Sequence, residues 1–560
     1  MRFVRCALVG VLALFTPYVY AQEDVVMKAM RDELARSMDK LQLEQLERPY
    51  FIAYRVEEGW GASASASFGS LLGSNEGRWR SLSVEVRVGD YDFDNTNFRV
   101  RRFGGRPRRL PLDDDYKELR RQIWLATDGA YKQAVENLSR KRAELQHRTR
   151  IEEIADFSRE APTSMTDEAA PVEVDIAEAE ALVRDLSALF KEMPDVFTST
   201  VQLRADNVHT RYLNSEGTSF TRIRPSVTFT ALAGTQAPDG MPLEDFVAAY
   251  GRSMDDLPDR EALRARVEEM GARLASLRAA PVVDSYNGPV LFERQAAAAL
   301  FGRIFAPRLL ASRAPVSGEG RGPSQGRNPF LDKIGARVLP EFISVVDAPT
   351  VNEYKKRRLV GGGRVDDDGV RTRRTVLVEN GILNTLLTTR NPVSGIVKST
   401  GSRHGPNAVP SNLFVTAKKG YSDKKMVKAF LKLVKQRKKA YGIVVRRIGN
   451  PDLRVRGLSR RGARMGNITL AYRVFPDGRE ELIRNARLSD VTESTFKEIV
   501  AASRNQTVYT APFRARSASG MHSGVVSFVV PSLLFEDVTL QKPRGEVPHP
   551  PVAKHPYFDR

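Results

Sequence analysis

Metal and nucleophilic chemistry both begin from a short list of side chains, and this chain is sparing with them. A catalytic zinc takes about three protein donors and leaves a position open for water. The six histidines are His147, His209, His404, His522, His549 and His555, and no two stand four or five residues apart. No histidine pair is therefore presented on one helical turn, and surface or supporting hydrogen bonding is the expected role of each. The one cysteine is Cys6, within a leader-like segment that runs from Arg2 and Arg5 through the apolar stretch Ala7–Phe15 to Val19, Tyr20 and Ala21. Removal of residues 1–21 as a signal peptide would leave no thiol nucleophile, thiolate ligand or disulfide. The same reading predicts an exported, periplasmic protein, since the apolar stretch falls short of the roughly 18 residues that span a bilayer as a helix.

Other constellations are thin. Gly361-Gly362-Gly363 precedes Arg364 without the Lys-Ser/Thr ending that a phosphate loop uses. Asp366, Asp367 and Asp368 could hold a hard cation, with a flexible solvated turn as the expected reading. In the loop Ser399–Pro406, Gly401 and Gly405 would let backbone donors approach a ligand, and Arg403 beside His404 could meet a carboxylate or phosphate. A plain inter-strand loop fits it too. The charge is more distinctive: the chain carries a net +19, which favours anionic partners without choosing among them. Between Lys418 and Lys439, the residues Lys424, Lys425, Lys428, Lys432, Lys435 and Lys439 accompany an apolar stripe of Val427, Phe430, Leu431 and Val434, with Asp423 the only acid. That is a basic amphipathic helix suited to an anionic envelope surface or an acidic protein. Too few aromatics interleave for a base-stacking platform, which disfavours nucleic acid.

The elements that must position these residues read as α+β. With 560 residues, 41% of them hydrophobic, there is material for two cored domains, expected at 22–280 and 281–545, with a proline-rich tail at 546–560. The first domain predicts helices over 24–48, 116–148, 176–192 and 257–279, the second of them anchored by Trp124, Ala130, Val135 and Leu138. Strands are expected at 50–56, 81–88, 196–204 and 219–232. The Gly, Ala and Ser alternation over 59–72 suits either a close-packed sheet or a turn, and Asn214–Gly217 favours a tight turn. In the second domain Val290–Phe292 leads into a helix ending by Pro307, and residues 310–330 look mobile. Strands dominate thereafter, at 337–346, 371–379, 382–388, 411–417, 441–447, 466–475, 480–488 and 524–530. Helices are expected at 423–439 and 494–501.

Several segments resemble the TldD/PmbA family of metallopeptidases and their inactivated relatives. They are Gly288-Pro289-Val290-Leu291-Phe292-Glu293, Arg337–Asp347, Val378-Glu379-Asn380-Gly381-Ile382-Leu383, Arg473–Glu480 and Pro531-Ser532-Leu533-Leu534-Phe535-Glu536. The likeness is good in the C-terminal half and looser before it. It implies a two-domain architecture, a helix-and-sheet domain followed by a strand-rich one. Active members carry His-Glu, three spacers and His, with a later cysteine as a further zinc ligand. The resemblance puts Phe292 and Ala297 at the two histidines and leaves only Glu293, and no cysteine follows Cys6. Phenyl and methyl groups donate nothing to zinc, and without zinc no Lewis acid activates water. Glu293 then reads as a relic, no metal or cofactor is expected, and the loop around Gly401–Gly405 falls near the family's peptide cleft.

The leader and the resemblance together imply an exported, non-catalytic homologue that binds peptide or protein, as a homodimer or supporting an active TldD/PmbA-like partner subunit. Two alternatives stay open. One is a metal-dependent peptidase with ligands from unexpected positions. The other is an envelope protein whose lysine face meets anionic surfaces.

Overall fold

The computed structural model describes residues 24–558, leaving out 100–106, 147–153, 314, 318–327, 451–452, 454–466, 485, 518–519 and 544–548. The expected leader, Cys6, His147, much of the stretch 310–330 and the side chain of His522 lie outside the described residues.

A hairpin of two 19-residue strands, Pro49–Ser67 and Ser70–Val88, dominates the N-terminal half. The alternating stretches at 50–56, 59–72 and 81–88 merge into this one ribbon. Its turn residues Phe68 and Gly69 have φ of +47° and +76°, the primed geometry whose twist matches that of paired strands. Gly61 is required by close approach, since a Cβ there would lie 2.2 Å from the carbonyl oxygen of Ala205 on the next strand. The sheet runs in the order 108–109, 70–88, 49–67, 198–214, 219–236, 164–168, and strand Pro242–Gly251 also pairs with 219–236.

Strand side chains alternate between faces, and here the alternation separates apolar from charged. Ile52, Tyr54, Val56, Ala64 and Ala66 share one face with Leu203, Phe229 and Ala231. That face is covered by helices α1 (Val25–Lys40), α2 (Tyr116–Leu145), α3 (Ile176–Ala188) and α4 (Arg260–Ala279). Their odd-numbered and even-numbered neighbours, Arg55, Glu85, Arg87, Tyr212, Arg222 and Arg224, point to the opposite face, toward the C-terminal half.

In the C-terminal half, strand Ser285–Phe292 pairs parallel with Gly442–Ile448 and antiparallel with Gly520–Gln541. Together with Asn467–Val474 and Ala486–Ser489 these strands close a ring of five. A branch continues from 520–541 through Asn412–Ala417, Ile343–Asp347 and Thr375–Glu379 to Ile382–Leu383. Helix α5 (Arg294–Leu300) runs on through a π-helical turn, Phe301–Phe305, and a short turn to Leu309. Its aromatic residues pack with Phe330, Phe496 and Phe535 in the main core. Helix α6 (Asp423–Gln436) buries Met426, Phe430 and Val434 against Leu291, Val444, Ala501 and Leu534.

Several expectations change. Helix α1 ends at Lys40 rather than 48, its C-cap N–H bonding Ser37. Trp124 is not an anchor of α2 but 45% exposed, because Leu119, Ile123, Thr127, Tyr131 and Leu138 form the inward stripe. Residues 285–292 form one strand where a short hinge and a helix entry were expected. The helix expected at 494–501 is a 3-10 turn, Glu493–Glu498, followed by a 19-residue strand from Ile499. On the docked face of α6, Phe430 and Val434 are buried as expected, but Met426 takes the place of Val427, which is 41% exposed.

Candidate functional site

The first place to look is the junction of strand 285–292 with α5. Phe292 stands opposite Leu533 on one side and Val445 on the other. Its buried ring meets the Phe535 ring edge-on at 5.4 Å. Ala297 is one of five consecutive buried residues, Ala296–Leu300. Both positions where the resemblance expects histidine are therefore filled by core packing. An imidazole in either would need a hydrogen-bond partner that these apolar surroundings do not offer.

Glu293 is the N-cap residue of α5 without a side-chain cap bond. Its carboxylate accepts from Arg446 Nε at 3.2 Å, and Arg446 also donates to Glu480 at 2.8 and 3.0 Å while lying over the Tyr472 ring. The carboxylate is thus ion-paired with a cation that it shares with Glu480. No group of three or more His, Cys, Asp or Glu is placed to hold a metal ion among the described residues. A phenyl, a methyl and an ion-paired carboxylate do not fit zinc. Because the Glu293–Arg446 pair is partly open to water, we expect Glu293→Gln to change folding stability by less than about 1 kcal/mol. Chemical denaturation checks this, and a loss of several kcal/mol would contradict the surface-pair reading.

A second constellation lies between the two halves, and it corrects the reading of the aspartate triplet. Asp366, Asp367 and Asp368 are 3–4% exposed and face the charged side of the N-terminal sheet. Asp367 Oδ1 accepts from Arg222 at 2.7 Å, Arg55 lies 3.6 Å from its other oxygen, and Gly405 N–H donates to it at 2.7 Å. Burial opposes its charge, but Arg55, Arg222, His404 and Arg224 hold the carboxyl well below the usual range. Asp366 goes the other way. Burial and the neighbouring Asp368 raise it, against the Arg403 and Val370 amides that donate to it.

Arg403 is spent inside the protein. Its guanidinium pairs with Asp368 and with Glu85 at 3.4 Å, and its Nε donates to its own hairpin at Gly405. Gly401 and Gly405 have φ of +72° and +59°, and they shape this loop around the aspartates. Beside them Arg390 donates to Glu216 and to the Ser158 carbonyl while stacking on Phe157 at 3.8 Å. His404 reaches the surface, its side chain 40% exposed. Enclosure of its inner edge pushes the imidazole down to about 4, aided by Arg224 and opposed by Asp367. Arg224 Nη1 lies 3.4 Å from His404 Nδ1. Its guanidinium is pushed down to about 9 by burial and by Arg222. Arg224 has no ion-pair partner among the described residues, a feature that sequence reading missed. The alternation of Phe220, Arg222 and Arg224 along one strand was its visible signal.

His209 and His555 lie apart from this loop and from each other. His209 is 3.5 Å from Glu168, and His555 stacks with Tyr557 and Phe68, which brings the tail at 555–557 onto the tip of the long hairpin. Asp347 bonds Ser411 and Glu379 bonds Asn384, so neither acid joins a histidine. Lys424, Lys425, Lys428, Lys432, Lys435 and Lys439 are all exposed.

Fold and site together define a two-part α+β scaffold whose described residues bring no metal-donor set together. Residues 285–542 match the profile of the PmbA/TldA metallopeptidase C-terminal domain, and that part of the chain belongs to the TldD/PmbA family. It is 26% identical over 163 residues to the metalloprotease PmbA of Escherichia coli O157:H7, covering 29% of this chain and 32% of that protein. It is 39% identical over 66 residues to a metalloprotease of Methanocaldococcus jannaschii, 12% of this chain and 14% of that one. The chain therefore matches less than a third to a seventh of the length of these curated relatives. Among solved structures, TldE from Thermococcus kodakarensis superposes with a TM-score of 0.57 at 15% identity, over 91% of this chain and 99% of that one. A Thermotoga maritima protein, described as a candidate modulator of a DNA gyrase, gives 0.57 at 16% identity over 92% and 99%.

Proposed function

We propose that this protein is an exported, non-catalytic TldD/PmbA homologue that binds an extended peptide or protein segment and supports an active partner subunit. The observation that carries the reading is the occupation of the helix start by Phe292, Ala297 and a Glu293–Arg446 pair, three groups already committed to other work. The leader-like residues 1–21 support export. The resemblance to a family whose related subunits enclose a common site supports a paired role. Arg224, which forms no ion pair among the described residues and lies beside His404, is the group we assign to an acidic group of the bound peptide.

The test is native co-purification of the full chain, with metal content and the mass of every bound subunit, followed by peptide hydrolysis with and without chelator. The expected result is no stoichiometric zinc on this chain and no cleavage by it alone, with peptide capture weakened in Arg224→Gln. Chelator-sensitive cleavage by the isolated chain that is lost in Glu293→Gln would overturn the non-catalytic reading.

A further inference from the structure

The lysine-rich helix is more than a decorated surface. At its N-terminal end, Lys419, Lys425, Lys428, Lys432 and Arg504 line one cleft of about 680 Å³, together with Gly420, Tyr421, Ser422 and Ala429. Five cations thus share one concavity with no carboxylate in its lining. None of the five forms an ion pair among the described residues, whereas Arg437 farther along α6 pairs with Glu536 and Asp537. Gathered like charges repel, and such an arrangement is relieved by an anion from outside.

Two features say what kind of anion. The cationic field does not stop at the cleft, since exposed Lys424 and Lys435 continue it along the same helix and exposed Lys418, Lys438 and Lys439 extend it in the segments just before and after. A single small anion would leave those charges unmatched; a plane of anions would not. Tyr421 at the rim and Val427, six residues on, are each 41% exposed, an aromatic and an aliphatic group of the sort that settle at the head-group boundary of a bilayer. The opposite face of α6 is already buried on Leu291, Val444 and Leu534, so the helix stays docked and meets the surface as part of the domain.

We infer that this cleft seats phosphate groups of an anionic membrane, with α6 lying along the membrane surface. The neighbouring lysines supply long-range attraction, and the cleft supplies the seat.

The experiment is pelleting of the full-length protein with phosphatidylcholine vesicles, with and without phosphatidylglycerol, over a salt series. The cleft variant Lys425→Gln/Lys428→Gln/Lys432→Gln is compared with Lys424→Gln/Lys435→Gln/Lys439→Gln, which removes equal charge outside the cleft. All six positions are exposed, and circular dichroism verifies that both variants fold. Wild-type protein is expected on the anionic vesicles alone, with binding falling as salt rises. Each lysine held at the phosphates contributes about fivefold and the effect falls off within a Debye length, so the cleft variant should bind about a hundredfold more weakly, while the control lysines, acting from outside the seat, should cost less at physiological salt. Equal losses in the two variants would overturn the seat. Saturable binding of inorganic phosphate without vesicle binding would overturn the membrane assignment. Tighter retention on duplex DNA than on vesicles, lost in the cleft variant, would do the same.

Discussion

Asp367→Asn is expected to cost about 3–5 kcal/mol of folding stability at neutral pH, the scale of breaking a buried ion pair from one side. The carboxylate lies between Arg222 and Arg55, both on the helix-free face of the N-terminal sheet, and is itself 4% exposed. Asparagine preserves the shape but leaves both guanidiniums buried without their counter-charge. The sign with pH is fixed by the direction of the shift. A carboxyl held below its ordinary range stabilises the fold above the unfolded value near 3.8, and that contribution is lost as pH falls through the folded value. The variant should therefore lose stability at pH 7 and differ much less from wild type in strong acid. Urea denaturation at both pH values measures this, and limited proteolysis between the halves should quicken at pH 7. An unchanged midpoint at pH 7 would mean that Asp367 does not hold the halves together.

Asp347→Asn should act in the opposite direction. Asp347 ends strand Ile343–Asp347, is 2% exposed, and accepts from the Ser411 amide at 2.9 Å and the Ser411 hydroxyl at 2.8 and 2.9 Å. Burial pushes it up to about 7 in spite of those bonds. A raised carboxyl favours the protonated folded state, so its stabilising effect is present below about pH 4 and is lost as pH climbs toward 7. At about 1.4 kcal/mol per unit, the loss by pH 8 is on the order of 4 kcal/mol. Asparagine cannot ionise, its carbonyl can take over the Ser411 bonds, and the Ser411 hydroxyl can accept from its amide. The variant is therefore expected to be more stable than wild type at pH 8, by roughly 2–4 kcal/mol, and nearly equal to it at pH 4. Asp366, also raised, keeps a residual slope in both proteins. Parallel stability curves between pH 4 and 8 would refute the assignment.

Local pattern carried far in this chain, and long-range pairing marked where it stopped. The alternation at 81–88, the turn at Asn214–Gly217 and the 3.6-residue stripe of α6 are properties of neighbours in sequence, and each appears in the structure. The Gly, Ala and Ser run at 59–72 stayed ambiguous because only the Ala205 carbonyl, on a strand far along the chain, demands a glycine at 61. Asp366–Asp368 looked like a solvated turn for the same reason: three acids beside a glycine are hydrophilic in isolation. Their burial depends on Arg55 and Arg222, placed by strands more than a hundred residues away. The strand from Ile499 was hidden by its partner, since its ladder lies along 520–541. At the candidate site, Phe292 and Ala297 could be read from residue identity as donors missing. That Arg446 would neutralise Glu293 required the parallel pairing of Val445 with Phe292.

The closed ring of strands also sets the timetable by which the C-terminal half can assemble. Phe292 stands beside Leu533, and Ser285 beside Gln541, so the circuit joins segments about 240 residues apart and carries the slow kinetics of high contact order. In a chain that emerges N-terminus first, the last rung cannot form until that far segment has emerged, whereas the hairpin of 49–67 with 70–88 can be complete long before. The nascent chain therefore spends an interval with strand Ser285–Phe292 unpaired on one side, its Val290, Leu291 and Phe292 uncovered, and this is the interval in which a chaperone has most to protect.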